Sequence, residues 1–165
     1  MKQIMQSISK SLNLSAGESI VYGDVDGILY NVRFYPAALK DSYSGLMERL
    51  LAPKCEGVDI KAYVSRKGGA DLRHIGTFLS DNYPVYRAEK ERYMDGEMTV
   101  SLQKNDSVNI KASYISEFLH FFSEYLHENG YYTACTQCGR SEGVSYHPET
   151  HKAVCAQCII NSAKL

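Results

Sequence analysis

Apolar positions along this chain fall into two rhythms, a period of two and a period near three and a half. Ile4, Met5, Ile8 and Leu12 stand three and four apart and predict a first helix over 2–12. From Ile20 to Phe34 the chain reads as strand, with Ile28, Tyr30, Val32 and Phe34 alternating against Leu29, Asn31 and Arg33. Asp26-Gly27 within that run is a two-residue hairpin signal. Asp41 can cap a second helix with the stripe Tyr43, Leu46, Met47, Leu50 and Leu51, and Pro53 stops it. Val58, Ile60, Ala62 and Val64 alternate again, residues 67–71 ("KGGAD") read as a turn, and Leu72–Leu79 reads as the hairpin partner of that strand. Asp95-Gly96 signals a further hairpin, leading into a strand with Met98, Val100 and Leu102. The cleanest helical stripe is Ile115, Phe118, Leu119, Phe122 and Leu126, with Ser113 or Asn109 as cap and Gly130 as stop.

The two halves echo each other. A strand (Val32, Phe34; then Val100, Leu102) is followed by a polar loop and a helix opening Ser-Tyr (Ser42-Tyr43; then Ser113-Tyr114). The expected fold class is α+β: a mostly antiparallel sheet with two to three packed helices over residues 1–130, and a small cysteine-bearing unit over 131–165.

Four of the five cysteines form that unit: Cys135, Cys138, Cys155 and Cys158, spaced C-x2-C-x16-C-x2-C. Each pair can clamp a metal with two thiolates, and the spacer suits a hairpin that returns the second pair to the first. Tetrahedral zinc needs four sulfurs at about 2.3 Å, and this spacing supplies them. Gly139 fits a knuckle turn after the first pair. His147 and His151 lie between the pairs, but Pro148 breaks a helical relation between them, so both are expected at the exposed hairpin tip. Disulfides are the poorer reading, because no secretory segment opens the chain. Cys55 stands alone and is expected to be a small buried apolar residue.

The knuckle "CTQCG", the strands flanking His-Pro-Glu-Thr and the helical "CAQCIINSAKL" resemble a treble-clef or zinc-ribbon finger covering residues 133–165. The resemblance implies one structural zinc. A closed four-sulfur site leaves no open position for metal chemistry. More loosely, the last amphipathic helix, "ENGY" running into "CTQCG", and a second C-x-x-C near the end are similar to uncharacterised bacterial proteins. In those, a soluble α/β region ends in a four-cysteine finger before membrane helices. That similarity implies a domain in the cytoplasm, at the face of a membrane, binding a protein or a small signal.

Composition narrows the rest. With 165 residues, 44% hydrophobic and 22% charged, the chain is globular. There is no apolar run of about 18 residues and no signal-peptide core, so a soluble intracellular protein is expected. A formal net charge of −1 gives no electrostatic case for nucleic acid. Within 131–165, Arg140, Lys152 and Lys164 face Glu142 and Glu149, and four thiolates on a zinc are themselves net negative.

"IVYGDVDGILY" (20–30) resembles the opening strand of haloacid-dehalogenase-like phosphatases, which would make Asp24 the nucleophile and Asp26 the acid/base. Against it, Gly23 interrupts the strand, Ile28 replaces the usual Thr or Val, and "ILYNVRFY" continues as strand where the family has a loop and helix. No later acidic pair stands ready for magnesium. His74, placed in a strand, and His120, on the solvated side of the long helix, have no partner readable from sequence. The expectation is a non-enzymatic zinc-binding module for protein interaction or regulation. The alternatives are a nucleic-acid-binding finger and, third, a small enzyme using Asp24 and Asp26.

Overall fold

The computed structural model describes residues 2–36, 55–82, 87–94, 96–103 and 110–163. In chain order these form α1 (Lys2–Leu12), β1 (Ser15–Ala16), β2 (Ile20–Val25), β3 (Ile28–Pro36), β4 (Cys55–Arg66), α2 (Ile75–Asn82), β5 (Arg87–Met94), β6 (Glu97–Gln103), α3 (Ala112–Glu128), β7 (Tyr131–Thr133), β8 (Val144–His147), β9 (Lys152–Cys155) and α4 (Ala156–Ala163). The helix expected around Asp41–Leu51 with its Pro53 stop, the Asp95 turn position and the Asn109 cap lie outside the described residues, as does the Cys55 side chain, although Cys55 itself opens β4.

The fold is α+β. Seven strands form one antiparallel sheet in the order β1-β2-β3-β4-β6-β5, with β7 paired to β4, while β8 and β9 make a separate hairpin. The period-two reading becomes literal in the register. Tyr30, Ala62 and Met98 stand in one row across β3, β4 and β6, then Val32, Ile60 and Val100, then Phe34, Val58 and Leu102. These nine are buried and meet Ile8 of α1, Ile75 and Leu79 of α2, and Ile115, Phe118, Leu119, Phe122 and Leu126 of α3. The opposite face carries Arg33, Asp59 and Ser101 in register. Asp59 accepts hydrogen bonds from the Ser101 hydroxyl (2.6 Å) and the Tyr35 hydroxyl (2.7 Å).

Asp26 and Gly27 turn the β2–β3 hairpin, since Val25 pairs with Ile28. Both have positive φ, 52° and 85°, which the mirror-image turn of a tight hairpin requires. Gly96 (φ 82°) stands between β5 and β6 in the same way, with Met94 paired to Glu97.

Two expectations are corrected. Leu72–Leu79 is not a strand: α2 begins at Ile75. Ile75, Phe78 and Leu79 are three and four apart, and Phe78 stacks on Tyr125 of α3 at 4.6 Å between ring centroids. From Gly57 to Ala62 both edges of β4 are paired, with β3 and β6, and Val64–Arg66 pair with β7, so most of β4 is closed to a further strand. His74 therefore sits in the turn before α2 rather than in a strand. The long helix also begins differently. Its N-cap is Lys111, with no side-chain capping bond, and Ser113 falls inside the first turn. Its end follows expectation, with Gly130 (φ 82°) donating its N–H to the His127 carbonyl.

Candidate metal centre

β7 carries the chain off the sheet into the cysteine knuckle. There the Gly139 N–H donates to the Cys135 carbonyl (2.9 Å), and the Cys135 N–H donates to the Arg140 carbonyl (2.8 Å). Gly139 takes φ 75°, the conformation expected of it. The β8–β9 hairpin brings the second pair back. Cys155 ends β9, and Cys158 lies in the first turn of α4. The knuckle is stitched to this hairpin by the Thr136 N–H and hydroxyl, both donating to the Ala153 carbonyl at 2.9 and 2.8 Å.

The four Sγ atoms lie within 4.8 Å of one another. Cys135 and Cys158 are 3.7 Å apart, Cys138 and Cys155 3.6 Å. A tetrahedral ion with metal–sulfur bonds of about 2.3 Å separates its sulfurs by about 3.8 Å. A disulfide needs about 2.05 Å. None of the four is in a disulfide, and the cluster can hold a metal ion.

The environment divides the thiols. Burial opposes ionisation of Cys135, but backbone N–H groups of Cys138, Cys155 and Gln137 overcome it and bring its pKa down to about 6. Cys155 is lowered chiefly by the Cys158 backbone N–H. Cys158 is pushed up to about 12, by burial first and then by the neighbouring thiols. Crowded sulfurs resist a full set of negative charges until a cation shares them.

His147 and His151 are not drawn into this cluster. His147 Nε2 is paired with Ser145 Oγ (3.2 Å), and His151, in the exposed turn with φ 55°, has Nδ1 against the Tyr146 hydroxyl (3.0 Å).

The hairpin's other face sits on the sheet. Tyr146 packs between Tyr22 and Tyr63, with ring centroids at 4.8 and 5.7 Å, in a small core with Leu29 and Ala153. Thr133 Oγ1 accepts from the Leu29 N–H (2.9 Å) and donates to the Gly27 carbonyl (3.1 Å), tying β7 to the β2–β3 turn.

The other residues singled out by sequence lie at that turn. Asp24 Oδ1 accepts the Gly27 N–H (3.0 Å), and Asp26 Oδ2 meets His120 Nδ1 at 2.6 Å. His127 Nε2 reaches the Asp26 carbonyl at 2.7 Å. Sequence reasoning missed this grouping. The only available signal was that His120 and His127 share one helix face. Among the described residues no helix is long and apolar enough to cross a membrane. Comparison of the chain with protein-family models, with curated proteins and with solved structures gives no match.

Proposed function

We propose that this chain is a non-enzymatic zinc-binding protein, a protein-interaction or regulatory module in which one structural zinc on Cys135, Cys138, Cys155 and Cys158 staples a treble-clef or zinc-ribbon finger (131–165) to an α+β body (1–130). The observation that carries this reading is the sulfur geometry, four Sγ atoms within 4.8 Å. Zinc suits an all-thiolate tetrahedral set. With every position filled by protein, the ion serves stability rather than catalysis. Cys135 and Cys155 are buried with Val154 in their own small cluster, as a structural site should be.

A protein partner is favoured by the surface of the finger. Ile159 and Ile160 of α4 are 39% and 48% exposed beside the cysteines. Nucleic acid is the less supported partner, since Arg140 and Lys152 are offset by Glu142 and Glu149. We place the module in the cytoplasm, on the membrane-proximal arrangement that the similar bacterial proteins suggest.

The test is metal analysis of purified protein together with cobalt substitution. One zinc per chain, its loss in Cys155→Ser, and the absorption of tetrahedral four-thiolate cobalt are expected. Zinc content unchanged in Cys155→Ser, or a cobalt spectrum of higher coordination, would overturn the assignment.

A further inference from the structure

The four cysteines differ in their access to solvent. Cys138 is exposed and Cys158 half-buried, whereas Cys135 and Cys155 are buried. Cys158 also borders an open cleft of about 330 Å³, where the knuckle (Gln137), the hairpin (Val154) and α4 (Ile159) meet. A small solute therefore meets Cys138 and Cys158 before it meets the other two.

Each outer sulfur lies against an inner one of the opposite pair. Cys138 Sγ is 3.6 Å from Cys155 Sγ, and Cys158 Sγ is 3.7 Å from Cys135 Sγ. Accessible thiols that react reversibly with oxidants are often poised in this way, with a second thiol at hand to resolve the product. The ion is not alone in holding the sulfurs together. Thr136, inside the knuckle, is bonded twice to the Ala153 carbonyl of β9 (2.9 and 2.8 Å), and the Tyr146 hydroxyl of β8 accepts from Asn31 of the sheet (3.1 Å). The knuckle thus stays against the hairpin while a thiol reacts.

We propose that a peroxide exchanges the ion of this centre for two disulfides, Cys138–Cys155 and Cys135–Cys158, which keep the finger closed. The release of zinc rests on the reading above of the cysteines as a structural zinc site, whereas the pairing of the sulfurs does not. In the cytoplasm such disulfides are usually transient and serve redox sensing.

The electrons balance. The Cys138 sulfur attacks one peroxide oxygen, the O–O bond breaks, and a sulfenic acid forms. The Cys155 sulfur then attacks that sulfur and displaces the hydroxyl. Two sulfurs give up two electrons, and two protons from solvent let both oxygens leave as water. Two remaining thiolates no longer make a four-sulfur set, so the site releases its ion, and a second peroxide couples Cys158 to Cys135 by the same steps. Both bonds join the knuckle to the far side of the finger, across 17 and 23 positions. Bonds within each C-x-x-C would link residues three apart and leave the knuckle unjoined to the hairpin. The longer loops restrain the chain more.

The test treats the purified whole chain with a few equivalents of hydrogen peroxide. Released zinc is read with a chromogenic indicator, remaining thiols are blocked with iodoacetamide, and trypsin digestion without reduction is followed by tandem mass spectrometry. Cleavage after Lys111, Arg140 and Lys152 puts Cys135 and Cys138 on one peptide and Cys155 and Cys158 on another. One equivalent of zinc should be released, and the two peptides should remain joined, with fragments pairing Cys138 with Cys155 and Cys135 with Cys158. Dithiothreitol with added zinc should restore the loaded protein. Amide exchange across 144–155 should stay slower in the oxidised protein than in the chelated, reduced one. Peptides that separate without reduction would place the bonds within each C-x-x-C and overturn the exchange. Sulfinic or sulfonic acids in place of disulfides would overturn it too. Protein that carries no zinc before peroxide would overturn the zinc reading, and the disulfide map would still decide the pairing.

Discussion

Asn31 Nδ2 donates to the Tyr146 hydroxyl across 3.1 Å, joining the middle of β3 to the centre of the β8–β9 hairpin. The cysteine-bearing unit is therefore seated on the sheet, its tyrosine closed over Leu29, Tyr22 and Tyr63. Tyr146 is only 6% exposed. Tyr146→Ala should lower stability by about 3 kcal/mol, as removal of a buried aromatic ring does. Tyr146→Phe keeps the ring contacts and loses the hydroxyl bonds, and should lose about 1 kcal/mol. Urea midpoints of the two variants give the comparison. Equal losses would mean that the hydroxyl, not the packing, holds the hairpin down.

Chelation should separate the two units. Structural zinc contributes on the order of 10 kcal/mol to a small finger, whereas the sheet and α3 share a core of their own. With the metal removed, amide exchange should rise across 135–158, with α3 still protected. Tyr63, fully buried under Tyr146, should become accessible to iodination. Loss of protection in α3 together with the finger would show that the body does not stand alone.

What the sequence disclosed was what short-range spacing encodes. The α3 stripe, the Asp26-Gly27 turn and the paired C-x-x-C motifs each need only a few neighbouring positions to be read. Residues 72–79 were misread because Ile75, Phe78 and Leu79 make too short a stripe to distinguish helix from strand. What decides them is Tyr125 and Phe122 of α3, against which Phe78 packs. Asp26 and His120 stand 94 positions apart. No local pattern announces that meeting, and the seating of Tyr146 on Asn31, 115 positions apart, is equally nonlocal.

Gly23 illustrates a local signal with a nonlocal cause. It interrupts an apolar strand at φ 145°, and an added Cβ would lie 2.8 Å from Leu14 Cδ2. Backbone strain and overpacking act together there, so Gly23→Ala should destabilise by about 1–3 kcal/mol. Thermal unfolding of Gly23→Ala beside Gly68→Ala, where a Cβ meets nothing within 4 Å, separates the packing penalty from the positive-φ penalty.

Asp71 should titrate unusually low. Its carboxylate accepts from the Arg73 side chain (2.6 and 2.9 Å) and the Arg73 backbone N–H (3.1 Å). The side-chain bonds first, and then the backbone bond, hold it well below the usual carboxylate range. A carboxyl depressed in the folded state stabilises it fully above the ordinary pKa of about 3.9, and that contribution is lost as pH falls through the lower folded value. Carbon NMR titration should find Asp71 still ionised where other aspartates are protonated, and Arg73→Ala, which removes the side-chain bonds but keeps the backbone N–H, should raise it toward the ordinary range. An Asp71 that titrates with the rest in the wild type would contradict the pairing.

Asp24 and Asp26 should hydrolyse no phosphate monoester. A phosphatase of the resembling family aims its first carboxylate from a strand tip, and the chain then leaves through a loop into a helix. Here the chain turns within two residues and returns as β3, paired from Val25–Ile28 to Ile20–Arg33. Asp24 is engaged in capping that turn through the Gly27 N–H, and Asp26 in holding His120. Magnesium surrenders its waters reluctantly and favours all-oxygen sites, and the side chain nearest Asp26 Oδ2 is an imidazole. Incubation with an aryl phosphate and magnesium should give no turnover above buffer, for the wild type and for Asp24→Asn alike, while Asp24→Asn retains the hairpin because an asparagine oxygen can still accept the Gly27 N–H. Magnesium-dependent turnover in the wild type that vanishes in Asp24→Asn would reverse this reading and make the turn a catalytic one.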